Sequence, residues 1–495
     1  MLSIWMSFVL CAYLSQAELY PDCIFLGCSC TRDTIRCPHD GFLTMFPKRR
    51  IGKTYIHNMV IDISGNGLQM VPDDRFAELN VLKIDLSHNS IYKLSADTFR
   101  DILRLNELDL SSNKLRYLNP NTFIPIENSL ETLVLSDNYL TQMESIRLTN
   151  LAKKLYRLKK LDLDKNRLIY VPNFVDTNLT RLSLAENYVE SLLDSETYKN
   201  LLPSSLVELR LEKNRLKQLN DNSFQNLVNL KYLNLESNEI SAIAESSFLN
   251  LKSLLVLNLK QNSLKHIPSR IFFTLENLDL VDLSSQRQEI KVLNNYAFDR
   301  YSNRKPIKKV LLNNNSIERI ESRAFCSKLA KRPYANLKEI DLSSNFVQSV
   351  SECILRQLFK GFTEPMMPRH KVMTKVILNE EKDSFLMKCG CEISRASKLV
   401  ELSGMCTADD GTVSHLSQYD CGGYSTNSVD FVHRLCKAQK EFECLSSNFL
   451  TTPSYMSGLF WSRTFPFNSS FENFTYNGDL VYELETKADL SISNN

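Results

Sequence analysis

Ile84-Asp85-Leu86-Ser87-His88-Asn89-Ser90-Ile91 decides the fold, because the same pattern stands upstream and downstream of it. Upstream it reads Ile61-Asp62-Ile63-Ser64-Gly65-Asn66-Gly67-Leu68, and downstream Leu108-Asp109-Leu110-Ser111-Ser112-Asn113-Lys114-Leu115. Followed along the chain, the asparagine falls at Asn66, Asn89, Asn113, Asn138, Asn166, Asn187, Asn214, Asn238, Asn262, Asn315 and Asn345, with Gln286 in the slot 24 residues after Asn262. That makes twelve units in one array. Apolar residues on either side of one free position predict a short strand with both apolar side chains on the same face. A unit this short cannot bury that face alone, so neighbours must stack and stability is collective.

Apolar positions with an asparagine at a period of 20–29 residues form the signature of a leucine-rich repeat solenoid, which this chain resembles. The resemblance implies an α/β horseshoe with a parallel sheet along its concave side. It also implies that each asparagine turns inward and bonds backbone groups of adjacent coils that would otherwise go unpaired. A second column, Phe76, Phe99, Phe123, Tyr198, Phe224, Phe248, Phe272, Phe298 and Phe325, recurs about ten residues after the asparagine and is expected to fill the core beneath the convex side.

Of 495 residues, 13 are cysteine and the formal net charge is +2. A solenoid grows by addition, so this length requires no division into separate cores. Residues 1–17 hold an apolar run from Leu2 to Leu14 followed by Ser15-Gln16-Ala17, which reads as a signal peptide cut before Glu18. No later stretch approaches the ~20 apolar residues of a membrane span, so the expectation is a freely secreted protein with no membrane anchor. Removing Cys11 with the signal leaves an even number of cysteines, as suits an oxidising compartment. Cys23, Cys28, Cys30 and Cys37 precede the first repeat; Cys389, Cys391, Cys406, Cys421, Cys436 and Cys444 follow the last.

These clusters resemble the cysteine-rich caps of extracellular leucine-rich repeat proteins, and the whole layout is similar to that of secreted developmental members of that family in insects. The resemblance implies pairs Cys23–Cys30 and Cys28–Cys37, then Cys389–Cys406, with Cys391 joined to Cys421, Cys436 or Cys444. Cys326 and Cys353 would bridge adjacent coils. The expected divisions are an N-terminal cap at 18–50, twelve repeats at 51–371, a C-terminal cap at 372–444 and a mostly disordered, glycosylated tail at 445–495. Sequons stand at Asn178, Asn314, Asn468 and Asn473.

No phosphate-cradling glycine loop, nucleophile elbow or paired histidine motif occurs. The reading is of no enzyme, with no metal and no cofactor. Nor does the concave wall form a uniform basic stripe suited to nucleic acid. Its first repeats carry Asp62, Asp85, Glu107, Asp109, Glu131 and Asp137 against Lys83, an acidic third. Farther along, Tyr232, Leu255, Val256, Leu280 and Leu311 form an apolar patch rimmed by Arg210, Lys231, Lys260, Asp279 and Lys309, beside the irregular stretch after Leu283 where Gln286 replaces the asparagine. The expected function is recognition of an extracellular or cell-surface protein, as ligand, co-receptor or antagonist in signalling, development or adhesion, unless the patch closes a homodimer. The alternatives are a matrix component that binds collagen or a glycosaminoglycan through Lys48, Arg49, Arg50 and Lys53 or through Lys153, Lys154, Arg157, Lys159 and Lys160, and a non-catalytic partner of a secreted enzyme.

Overall fold

A computed structural model describes residues 23–347 apart from 40, 42, 51–58, 194–199, 222, 269–270, 299–306, 322–323, 328–331 and 334–336, and farther on 375–379, 387–388, 401–407 and 413–416. Described residues all fall within one compact unit, Met1–Phe359 with Val372–Ser446.

The repeats form a leucine-rich repeat solenoid. Its main sheet has sixteen strands whose order in space equals their order in the chain. They are β1 (Ser29–Cys30), β2 (Thr34–Arg36), β3 (Met59–Asp62), β4 (Val81–Asp85), β5 (Glu107–Asp109), β6 (Thr132–Val134), β7 (Lys160–Asp162), β8 (Arg181–Ser183), β9 (Glu208–Arg210), β10 (Tyr232–Asn234), β11 (Val256–Asn258), β12 (Leu280–Asp282), β13 (Lys309–Leu311), β14 (Glu339–Asp341), β15 (Lys375–Ile377) and β16 (Glu401–Ser403). Only the β1–β2 pair is antiparallel. Strands β15 and β16 carry the parallel ladder past residue 371, into the segment expected to form the C-terminal cap.

Each coil turns on its asparagine. Asn89 Nδ2 donates to Ile63 O and Leu86 O, both at 3.0 Å, and to Ser87 O at 3.1 Å, while its Oδ1 accepts the Leu68 N–H at 3.1 Å. One side chain thus satisfies backbone groups of its own coil and of the coil before it, which burial would otherwise leave unpaired. Gln286 does the same work: Nε2 donates to Leu259 O at 2.9 Å and Oε1 accepts the Leu264 N–H at 3.1 Å. The irregular coil therefore does not break the ladder.

Two further regularities belong to the fold. The residue before each ladder position lies in the left-handed region, from Gly65 (φ 67°) and His88 (φ 54°) to Lys165 (φ 52°) and Ser344 (φ 52°), because the chain must turn sharply there to send the asparagine inward. At the strand ends, Asp62, Asp85, Asp109, Asp282 and Asp341 each accept the backbone N–H and the hydroxyl of the serine two residues on, as at Asp109, 2.9 Å from Ser111 N and 2.6 Å from its Oγ.

The phenylalanine column is buried as expected and stacks from coil to coil, with ring centroids 5.9 Å apart for Phe76 and Phe99 and 5.8 Å apart for Phe224 and Phe248. Tyr198 lies outside the described residues, and Phe174, which the periodicity did not pick out, is fully buried in the coil before it, between Asn166 and Asn187. The α content of the α/β expectation is small: among the described residues the one α-helix is α1 (Ser145–Lys154), and the convex side is otherwise turns, 3-10 segments and short strand pairs. Regular coils leave too few residues after strand and ladder turn for a helix. The coil from Asn138 to Asn166 is longer, and α1 occupies the extra length, burying Leu148, Leu151 and Ala152.

At the amino-terminal end Cys23 pairs with Cys30 and Cys28 with Cys37, as the resemblance implied. Cys406 is buried and disulfide-bonded, with its partner outside the described residues. The signal segment, the side chain of Cys326, Cys353, Cys389, Cys391, Cys421, Cys436, Cys444, Asn468, Asn473 and the 445–495 tail also lie outside them.

Candidate functional site on the concave face

Parallel pairing aligns one outward position of every strand from β3 to β15, and the register continues to β16. In order the column reads Val60, Lys83, Glu107, Thr132, Lys160, Arg181, Glu208, Tyr232, Val256, Leu280, Lys309, Glu339, Lys375 and Glu401. Beyond Val60, Tyr232, Val256 and Leu280 are its apolar members. They are consecutive, bounded by Glu208 on one side and Lys309 on the other. Tyr232 is 46% exposed, and Val256 and Leu280 are half-buried.

Leu255 stands in the next column, between Lys231 and Asp279, tied to each by backbone hydrogen bonds. Leu311 does not join the run: the register sets it opposite Asp282, two residues along and one coil away from Leu280. Of the expected rim, Lys309 pairs with Glu339 at 2.8 Å, Lys260 with Glu236 at 3.7 Å and Asp279 with Lys308 at 2.6 Å. Arg210 is held by Glu212, its Nε 2.9 Å from Oε1. The Lys309, Lys260 and Asp279 pairs fix rim side chains against neighbouring coils, and the Arg210 pair lies within its own coil.

Next to it, the concave face of β6 to β9 holds a shallow depression lined by Lys160, Asp162, Arg181, Ser183, Glu208 and Arg210. Burial raises the Asp162 carboxyl, and burial pushes the Asp164 carboxyl up to about 6 against the hydrogen bond from Ser183 Oγ. Asp164 Oδ1 also accepts the Ala185 N–H at 2.7 Å. Glu212 is buried, with Oε2 unpartnered. Among the described residues no group of three or more His, Cys, Asp or Glu side chains converges as a metal site.

The acidic first third has a structural task that sequence reading missed. Asp62, Asp85 and Asp109 cap strand ends, and Asp62 and Asp85 also face Arg36 at 3.4 Å and Lys83 at 3.7 Å. The signal was present as serine two residues after the aspartate. The basic run around α1 is similarly occupied: Lys153 pairs with Asp176 at 2.7 Å, and Lys159 and Arg157 approach Glu131 at 3.0 and 3.9 Å. Lys160, by contrast, stands in the concave column. Of the sequon residues, Asn178 is exposed and donates to Tyr156 O at 3.0 Å, and Asn314 is exposed and donates to Ser285 Oγ at 3.1 Å.

Comparison with known families agrees with this geometry. Residues 59–115, 80–140, 177–240, 204–262 and 229–287 match the leucine rich repeat family model, and 261–360 match the BspA type leucine rich repeat region. The chain is a leucine-rich repeat protein. It is 27% identical to mouse (Mus musculus) epiphycan over 217 residues, covering 44% of this chain and 54% of the relative. Bovine (Bos taurus) osteomodulin is 28% identical over 234 residues, covering 41% and 53% respectively. The chain thus spans about half the length of the curated relatives it matches. Among solved structures, the Toll–Spätzle complex of Drosophila aligns with a TM-score of 0.53 at 21% identity, over 73% of this chain and 54% of that one. At that identity the likeness speaks for the fold alone, and the similarity to secreted developmental proteins of insects gains no support from it. Among the described residues, no helix of this leucine-rich repeat protein is long and apolar enough to cross a membrane.

Proposed function

We propose that this chain is an extracellular recognition module that binds a protein partner on its concave face, with Tyr232, Val256 and Leu280 as the anchoring centre. One observation carries the reading: from Lys83 onward the column is polar or charged except where three aligned apolar side chains interrupt it over three successive coils. Interface energy concentrates in aromatic and aliphatic anchors at the centre of such a surface, while rim charges set orientation. Leu255 extends the centre, and Lys231, Asp279 and Lys309 border it; Arg210, Lys260 and Leu311 lie at its margin. The disulfides at the amino-terminal end support an oxidising, extracellular setting.

The test is a cell-surface binding screen with the soluble chain beside the double variant Tyr232→Ala, Val256→Asp. Loss of a central anchor is expected to weaken binding roughly thirty-fold or more. Parental affinity in the folded variant removes the site from this surface. Sedimentation of the parent distinguishes the remaining occupant, because a dimer that the same substitutions dissolve would make the patch a self-association surface.

A further inference from the structure

The residue that follows each ladder position reads Gly67, Ser90, Lys114, Tyr139, Arg167, Tyr188, Arg215, Glu239 and Ser263 from the first coil onward. Five consecutive coils thus place a cation or a tyrosine at one position, and small or acidic residues close the stripe at both ends. Backbone bonds hold the stripe in register: the N–H groups of Tyr139, Arg167, Tyr188 and Arg215 donate to Leu115, Leu140, Leu168 and Val189 of the preceding coils at 2.8–3.0 Å. Successive members are therefore about 5 Å apart, the spacing of adjacent strands.

The guanidiniums lie over the rings. Arg167 is 4.7 Å from the Tyr139 centroid and Arg116 5.8 Å from the same ring; Arg215 is 4.5 Å from that of Tyr188. Arg116, Arg167 and Arg215 are exposed, and among the described residues none of the three forms an ion pair. They differ in this from Lys153, Arg157 and Lys159, which carboxylates occupy. A guanidinium stacked on a ring uses its flat face and keeps its in-plane N–H groups for a tetrahedral oxyanion.

We infer that this flank binds a linear sulfated polysaccharide running along the solenoid axis. Unpaired guanidiniums on three alternate coils, at Arg116 two residues beyond the stripe position and at Arg167 and Arg215 on it, match a polymer with repeating sulfates. Single-stranded nucleic acid fits less well, because its affinity depends on bases stacking on open aromatic faces, and here guanidiniums cover the rings of Tyr139 and Tyr188. The inference is independent of the concave-face reading, since the two surfaces share no residue.

The experiment is salt elution and titration on immobilised heparin with the full chain. The variant Arg116→Gln, Arg167→Gln, Arg215→Gln is compared with Lys153→Gln, Arg157→Gln, Lys159→Gln, which removes the same formal charge beside α1. The flank variant is expected to lose at least tenfold in affinity and to show a shallower dependence on salt, while the second variant stays within twofold of the parent. A third variant, Arg→Lys at the three flank positions, keeps the charge and removes the planar fork; it is expected to lose at least threefold. Circular dichroism and the unfolding midpoint confirm that each variant is folded. Failure of the parent to bind at physiological salt, equal losses in the two Gln variants, parental binding by the Lys variant, or displacement of heparin by an equal charge of polyadenylate would each overturn the assignment.

Discussion

Replacing Asn238 with alanine tests the ladder at a fully enclosed point. The side chain is 0% exposed. Its Nδ2 donates to Leu211 O at 2.9 Å, Leu235 O at 3.0 Å and Glu236 O at 3.3 Å, and its Oδ1 accepts the Leu216 N–H at 3.2 Å. Alanine leaves Leu211 O and Leu216 N, both in the preceding coil, without the partner that joins them to this one. An orphaned buried polar group costs about 1–3 kcal/mol, so two give roughly 2–6 kcal/mol. Water entering the space left behind draws the result toward the lower half of that range, near 3 kcal/mol. Equilibrium urea unfolding of parent and variant, followed by circular dichroism, measures the difference, and agreement with the fluorescence of the repeat tyrosines checks that one cooperative transition is being read. A loss below about 1 kcal/mol, with the fold intact, would refute the claim that this side chain carries the backbone pairing between coils.

The remaining predictions concern neighbouring positions. Tyr232→Ala is expected to leave the urea midpoint nearly unchanged, whereas Leu233→Ala, one residue along and buried, should cost about 2–5 kcal/mol; equal effects would mean that the strand faces are misassigned. Lys165 adopts φ 52°, so Lys165→Gly should be neutral or stabilising and Lys165→Val should lose at least ~1 kcal/mol through left-handed strain, in the same unfolding assay. Burial pushes the Asp164 carboxyl up to about 6, above the ordinary aspartate value of about 3.9. The folded state therefore binds more protons than the unfolded chain between those values, and this group's contribution makes stability fall as pH rises through that window. Asp164→Asn keeps the oxygen that accepts the Ser183 hydroxyl and the Ala185 N–H. It should gain about 1–2 kcal/mol at pH 7, after allowance for solvent screening, and little at pH 3; identical differences at both pH values would show that the carboxyl does not titrate as described.

The amino-acid sequence by itself determined the solenoid. An asparagine, or once a glutamine, at every coil, two apolar residues before it and in most coils a phenylalanine beyond leave one economical way to bury every face, and the Cys23–Cys30 and Cys28–Cys37 pairs followed from the likeness of their spacing to known caps. The left-handed residue before each asparagine escaped sequence reading, because His88, Ser112, Lys165 and Gln261 share no chemistry and are alike only in φ. The strand-end caps escaped it too, since the aspartates were read as free wall positions, although serine stood two residues on.

Only the tertiary structure decided which residues stand side by side across coils. Coils of unequal length, from 21 residues between Asn166 and Asn187 to 30 between Asn315 and Asn345, return to a common register only when backbone pairing aligns their strands. That pairing put Lys309, not Leu311, at the end of the Tyr232 column. It also set carboxylates against the basic residues near α1 and left Arg116, Arg167 and Arg215 on tyrosine rings. Periodicity fixes which way a side chain points within its own coil. Its neighbour in the next coil depends on how the intervening loop folds, and that is settled by packing between segments some two dozen residues apart.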